Sequence, residues 1–73
     1  MQDKQNLLPK RFGKAIKSNR LELGISQEEL GFRTGLDRTY ISGIERGQRN
    51  PSLKNIGKLA DALEVKIGKL FEK

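Results

Sequence analysis

The chain has 73 residues, enough for one small domain of the size that buries only about 60% of its unfolded surface, and too few for a second. It contains neither Cys nor His, which excludes disulfide frameworks, zinc fingers, thiol nucleophiles and histidine-based acid–base catalysis together. Fifteen Lys and Arg against nine Asp and Glu give a net charge of +6, and so dense a positive charge on a small surface points to a polyanionic partner.

Residues 1–8 are expected to form a flexible N-terminal tail, and residues 9–73 a single domain. From Pro9, the apolar residues Phe12, Ile16 and Leu23 fall on one face of a first helix that stops at Gly24, with Arg20 on that same face. A second helix, over about 26–34, opens at Ser26, whose hydroxyl can cap it while Glu29 closes a capping box and Ile25 staples against Leu30. Gly31 sits inward, where a missing side chain admits a neighbouring helix. After the stop at Gly35, Asp37 is the expected N-cap of a third helix over about 37–46, with Ile41 and Ile44 as its buried stripe. Arg38, Thr39, Ser42 and Gly43 share a polar or small face that remains available to something outside the protein. A polar loop from Gly47 to Pro51 follows. Ser52 can then cap a fourth helix carrying Ile56, Leu59, Ala60 and Leu63, and a fifth, short helix carries Val65, Ile67, Leu70 and Phe71. No period-2 run long enough for a strand and no internal repeat is present, so the fold class is all-α.

Charge is blocked along the chain. Residues 1–20 carry Lys4, Lys10, Arg11, Lys14, Lys17 and Arg20 against Asp3, whereas residues 21–37 carry Arg33 against Glu22, Glu28, Glu29 and Asp37. Residues 38–58 are basic again, with Arg38, Arg46, Arg49, Lys54 and Lys58 against Glu45. Two basic blocks flanking an acidic one suggest a surface with a positive side, the alternative being an ordinary solvated charged face.

Two short helices around a glycine turn, the second with a polar outward face, form a helix-turn-helix. The stretch ISQEELGFRTGLDRTYISGIERGQRN, from Ile25 to Asn50, resembles the DNA-binding unit of the Cro and phage-repressor-type (XRE) family, and PSLKNIGKLADALEVKIGKLF extends the resemblance to Phe71. Within that family, LDRTYISGIERGQRN most resembles the controller proteins of restriction-modification systems. The resemblance implies a compact five-helix, lambda-repressor-like DNA-binding domain. It also implies a sequence-specific, cytoplasmic transcription regulator that binds a pseudo-palindromic operator in double-stranded DNA as a homodimer, with RNA polymerase as a further contact.

Carried over residue by residue, the resemblance makes the third helix the recognition helix, with Arg38 and Thr39 at base edges in the major groove. Arg presents a fork that fits guanine O6 and N7, and Thr offers a hydroxyl and a methyl. Ser42 is placed at a base edge or phosphate, and Gly43 either admits the DNA or merely weakens its helix. Gln27 matches a phosphate-contacting position at a helix N-terminus, against a solvated first-turn residue. Arg46, Gln48, Arg49 and Asn50 lie in a donor-rich loop suited to the DNA backbone, with Arg49, Asn50 and Ser52 also considered for base contacts near the operator centre. Tyr40 either packs or touches phosphate, and Ser52 also has its role as a cap. Lys10, Arg11, Lys14 and Lys17 either flank the DNA or are simply solvated. Arg20 and Glu45, each on the apolar face of its helix, are expected to pair as an architectural ion pair.

Leu63, Val65, Ile67, Leu70 and Phe71 supply more apolar surface than a short four-helix core needs, so a dimer interface is expected, the alternative being closure of the monomer core. Lys66 stands where the family commonly has a capping Ser, and Gly57 and Gly68 weaken their helices. The competing function is that of an antitoxin or other protein-interaction module on the same fold. No apolar run approaches the length of a transmembrane helix, Leu7 and Leu8 are too short for a signal-peptide core, and helices interrupted by glycine do not suit a membrane surface. No cofactor or metal is expected, and no enzyme: Ser26, Ser42 and Ser52 have no histidine to activate them, and the carboxylates form no paired cluster.

Overall fold

Capping chemistry divides the chain into helices. In the computed structural model, which describes residues 4–72, these are α1 (Lys4–Leu23), α2 (Gln27–Thr34), α3 (Arg38–Glu45) and α4 (Leu53–Leu63), followed by a 3-10 turn over Ile67–Phe71. Each helix after the first starts at a side-chain cap: Ser26 accepts from the Glu29 amide, Asp37 from the Thr39 amide and Ser52 from the Asn55 amide. All four helices end alike. A residue in the left-handed conformation turns the chain, and the amide after it reaches back to the last full turn: Ile25 to the Arg20 carbonyl, Leu36 to Gly31, Gln48 to Gly43 and Val65 to Ala60. Glycine holds the left-handed position at Gly24, Gly35 and Gly47, and Glu64 holds it at φ 62° after α4.

Two boundaries differ from the sequence expectation. The first helix begins at Lys4 and runs through Pro9 rather than starting there, so residues 4–8 are helical; residues 1–3 of the expected tail lie outside the described residues. Pro9 removes only the rung its amide would have made to the carbonyl of Gln5, near the start of a 20-residue helix. The fifth α-helix is instead a 3-10 turn. Lys66 gives it no side-chain cap, and five residues with Gly68 among them are too few to close and propagate an α-helical ladder. The domain is therefore four α-helices and a 3-10 turn, with no strand among the described residues.

The core draws Phe12 and Ile16 from α1, Leu30 from α2, Ile41 and Ile44 from α3, and Leu59, Ala60 and Leu63 from α4, with Leu70 of the 3-10 turn closing it. Leu63 and Leu70, expected at a dimer interface, are 2% and 1% exposed, so they close the monomer core instead. Val65 packs partly buried against that core, whereas Ile67 and Phe71 remain exposed, Phe71 with its ring centroid 5.2 Å from that of Phe12.

The α1–α3 crossing depends on Gly13. A Cβ at that position would lie 2.2 Å from the Ile44 carbonyl oxygen and 2.8 Å from that of Glu45, backbone atoms that cannot rotate aside. Gly13→Ala is therefore expected to lower stability by about 1–2 kcal/mol in urea unfolding, even though alanine favours a helix interior by about 1 kcal/mol. A gain in stability would show that the two helices can separate without cost.

Candidate nucleic-acid interface

A buried ion pair orients the helices that carry the exposed polar face. Arg20 of α1 donates to Glu45 at the end of α3 through both arms of its guanidinium, Nε to Oε2 at 2.7 Å and Nη2 to Oε1 at 3.0 Å, and its Nη1 donates to the Ile25 carbonyl at 2.9 Å. The two side chains are 9% and 3% exposed. Gln27, the first residue of α2, donates from Nε2 to the same Glu45 Oε1 at 3.0 Å. One carboxylate thus ties α1 and the start of α2 to the end of α3, and every buried side-chain N or O among the described residues has a hydrogen-bond partner.

Beyond that anchor, α3 directs its N-terminal end and one flank outward. Arg38 and Thr39 are exposed in its first turn. The Thr39 hydroxyl donates to Asp37. Two turns further on, Arg46 donates from Nη1 to the Ser42 hydroxyl and from Nε and Nη2 to Gln48 Oε1, at 3.3 and 3.2 Å. Gly43 lies beneath the Arg49 side chain: a Cβ there would come 2.7 Å from Arg49 Cγ. Asn50 is exposed in the loop that follows, and Ser52 accepts from the Asn55 amide at 3.1 Å. Asn55 in turn donates to the Tyr40 hydroxyl at 3.2 Å, which joins the start of α4 to α3.

The chain matches a family model described as helix-turn-helix over residues 16–70, which spans α2, the turn and α3 together with most of the supporting helices. The chain belongs to the helix-turn-helix family. The helix-turn-helix is similar to the control protein C.BamHI of Bacillus amyloliquefaciens, with 52% identity over 62 residues that cover 84% of this chain and 76% of that one. Among solved structures it is similar to the restriction-modification controller protein C.AhdI from Aeromonas hydrophila, with 51% identity, a TM-score of 0.85 and coverage of 86% and 96% of the two chains. It is also similar to C.Esp1396I bound to a 19 base pair DNA duplex, with 44% identity, a TM-score of 0.81 and coverage of 88% and 85%.

Within this helix-turn-helix most of the residues singled out by sequence fall into three groups. Arg38, Thr39, Ser42, Arg46, Gln48, Arg49 and Asn50 follow one another from the exposed start of α3 into the loop beyond it. Arg20 and Glu45 meet beneath, with the Gln27 amide turned onto Glu45. Tyr40, half-buried, packs against the core, its hydroxyl bonded to Asn55. Gly43 is buried, so it does not present an open surface of its own, and neither expectation for it anticipated the Arg49 stem.

Sequence reasoning missed how the two basic blocks meet. A Cβ at Gly47 would lie 2.6 Å from Lys10 Cγ and 2.9 Å from its Cα, so the basic start of α1 lies against the donor-rich loop after α3. The signal available is Gly47 itself, a glycine at the start of the polar loop after the third helix. Gly13 was likewise missed, although a glycine next to Phe12 on an inward face carries the same signal as Gly31, whose Cβ would lie 2.8 Å from the Leu36 carbonyl.

Proposed function

We propose that the protein is a sequence-specific DNA-binding transcription regulator, the controller of a restriction-modification system, which binds a pseudo-palindromic operator as a homodimer. The observation that carries this reading is the exposed first turn of α3, with Arg38 and Thr39 outward, flanked by the basic loop of Arg46, Gln48, Arg49 and Asn50. Arg38 and Thr39 read base edges in the major groove, and Ser42 reaches a base edge or phosphate. Gln27, Arg46, Gln48, Asn50 and Ser52 hold the phosphate backbone, and Arg49 serves backbone or base contacts near the operator centre. Similarity to named control proteins, and to one relative solved on a DNA duplex, supports both the DNA ligand and the controller role.

Val65, Ile67 and Phe71 form the dimer surface in this reading, since Leu63 and Leu70 are already spent in the core. Two-fold symmetry then sets the recognition helices about 34–36 Å apart, one turn of B-DNA. The protein acts by binding and not as an enzyme, and its place is the cytoplasm with its DNA; among the described residues no helix is long and apolar enough to cross a membrane.

Arg46→Ala tests the backbone part. It is expected to weaken operator and scrambled duplex by a similar factor and to reduce the slope of log K against log salt by about 1 per protomer. A loss confined to the operator, at an unchanged salt slope, would assign Arg46 to base recognition.

A further inference from the structure

We propose that Gly43 is a positioning residue for Arg49: by lacking a side chain it opens a slot on the flank of α3 in which the Arg49 stem lies, and this fixes where the guanidinium meets DNA. The inference rests on the DNA-binding reading above, and it deepens that reading at one residue.

Three observations converge on the slot. Gly43 is buried in a helix whose neighbouring residues Thr39 and Arg46 are exposed, so something covers it. The cover is Arg49. A Cβ on Gly43 would lie 2.7 Å from Arg49 Cγ, 3.4 Å from Nε and 3.6 Å from Cδ, so the side chain lies along the helix through its length instead of meeting it at the tip. The backbone brings Arg49 there, because Gly47 turns the chain at φ 77° and the next amide, that of Gln48, donates to the Gly43 carbonyl at 2.8 Å. Glycine is therefore used twice at Gly43. Its carbonyl anchors the returning loop and its bare α-carbon seats the first side chain beyond.

Seating the stem matters because a free arginine side chain loses rotamer freedom when it is ordered on DNA. Packing the apolar methylenes against α3 removes part of that loss beforehand and leaves the charged head outward. Next to it, Arg46 is held by Ser42 of α3 and by Gln48 of the loop, so both arginines are ordered against α3 and the loop that follows it. Gly43→Ala would press first on the Arg49 stem, since the three nearest heavy atoms that the added Cβ meets beyond its own helix all belong to Arg49.

The test is a double-mutant cycle on DNA binding, read beside the free protein. Gly43→Ala, Arg49→Ala and the double variant are each titrated against the selected operator. Arg49 Nε–H order in the free protein is measured by ¹⁵N relaxation in wild type and Gly43→Ala. Gly43→Ala is expected to keep its helical circular dichroism and unfold no earlier than wild type, because alanine favours the helix. It should weaken operator binding about tenfold, the scale of one arginine contact. In the Arg49→Ala background the same change should weaken binding by less than twofold, and the Arg49 Nε–H should be ordered in wild type and mobile in Gly43→Ala. A full tenfold loss that persists without Arg49 would make Gly43 a point of direct DNA clearance and overturn the proposal. So would operator binding by Gly43→Ala equal to wild type, or an Arg49 side chain as mobile in wild type as in the variant. If wild type itself binds no selected duplex, the DNA-binding reading fails first and the positioning role falls with it.

Discussion

Glu45→Ala is expected to lower the unfolding free energy by about 3–5 kcal/mol, because it strands the Arg20 guanidinium in a site where that side chain is 9% exposed. Arg20 would keep its bond to the Ile25 carbonyl but lose both bonds to the carboxylate, and the Gln27 amide would lose its acceptor in the same step. Domains of this length have total stabilities of roughly 4–11 kcal/mol, so the loss is a large fraction of the total and unfolds the variant outright only if the wild type lies at the lower end of that range. The loss measures an uncompensated charge and not the net worth of the pair. Replacing Arg20 and Glu45 together by Met and Leu should accordingly be close to neutral, or stabilising. Urea unfolding followed by circular dichroism separates these cases. A single-variant loss below about 1 kcal/mol would mean that the guanidinium finds water, and that the pair behaves as a surface ion pair.

Arg38→Ala carries the second large effect, on recognition. Arg38 is exposed at the first residue of α3 and lies outside the buried core, so its removal should leave the unfolding midpoint nearly unchanged. Binding should instead lose about 1–3 kcal/mol of discrimination at particular base pairs, which is roughly 5- to 150-fold between the operator and a duplex altered at those positions. Arg46→Ala, by contrast, lowers affinity for both. The pair of variants separates base reading from backbone anchoring within one helix and its adjoining loop. Equal losses for Arg38→Ala on every duplex would move Arg38 from base reading to the backbone.

The helix-turn-helix was legible in the sequence because its punctuation is chemical. Ser26, Asp37 and Ser52 cap the three helices they precede, and Gly24, Gly35 and Gly47 adopt the left-handed conformation that ends three of them. Arg20 and Glu45 could be paired from their places on apolar faces. What stayed hidden has physical reasons as well. The end of α4 uses Glu64 where glycine would have announced it, so its left-handed turn leaves no compositional mark. Periodicity says that Leu63 and Leu70 are buried but not against what, and the monomer core claims both. Pro9 reads as a helix start, yet a helix can begin a turn earlier and forgo a single rung. The contacts of Gly13 with Ile44 and of Gly47 with Lys10 are tertiary, and no local pattern encodes which backbone a bare α-carbon will meet.

Selection of binding sites from random duplex DNA, followed by titration of the protein against the selected sequence and its scrambled counterpart at two salt concentrations, tests the central claim most directly. A dimeric reader of base edges should return a dyad-symmetric consensus bound about 10³-fold or more above the scrambled duplex, with both affinities falling as salt rises. No consensus, with every duplex bound alike along one salt slope, would leave only the attraction of a +6 protein for a polyanion and contradict the claim.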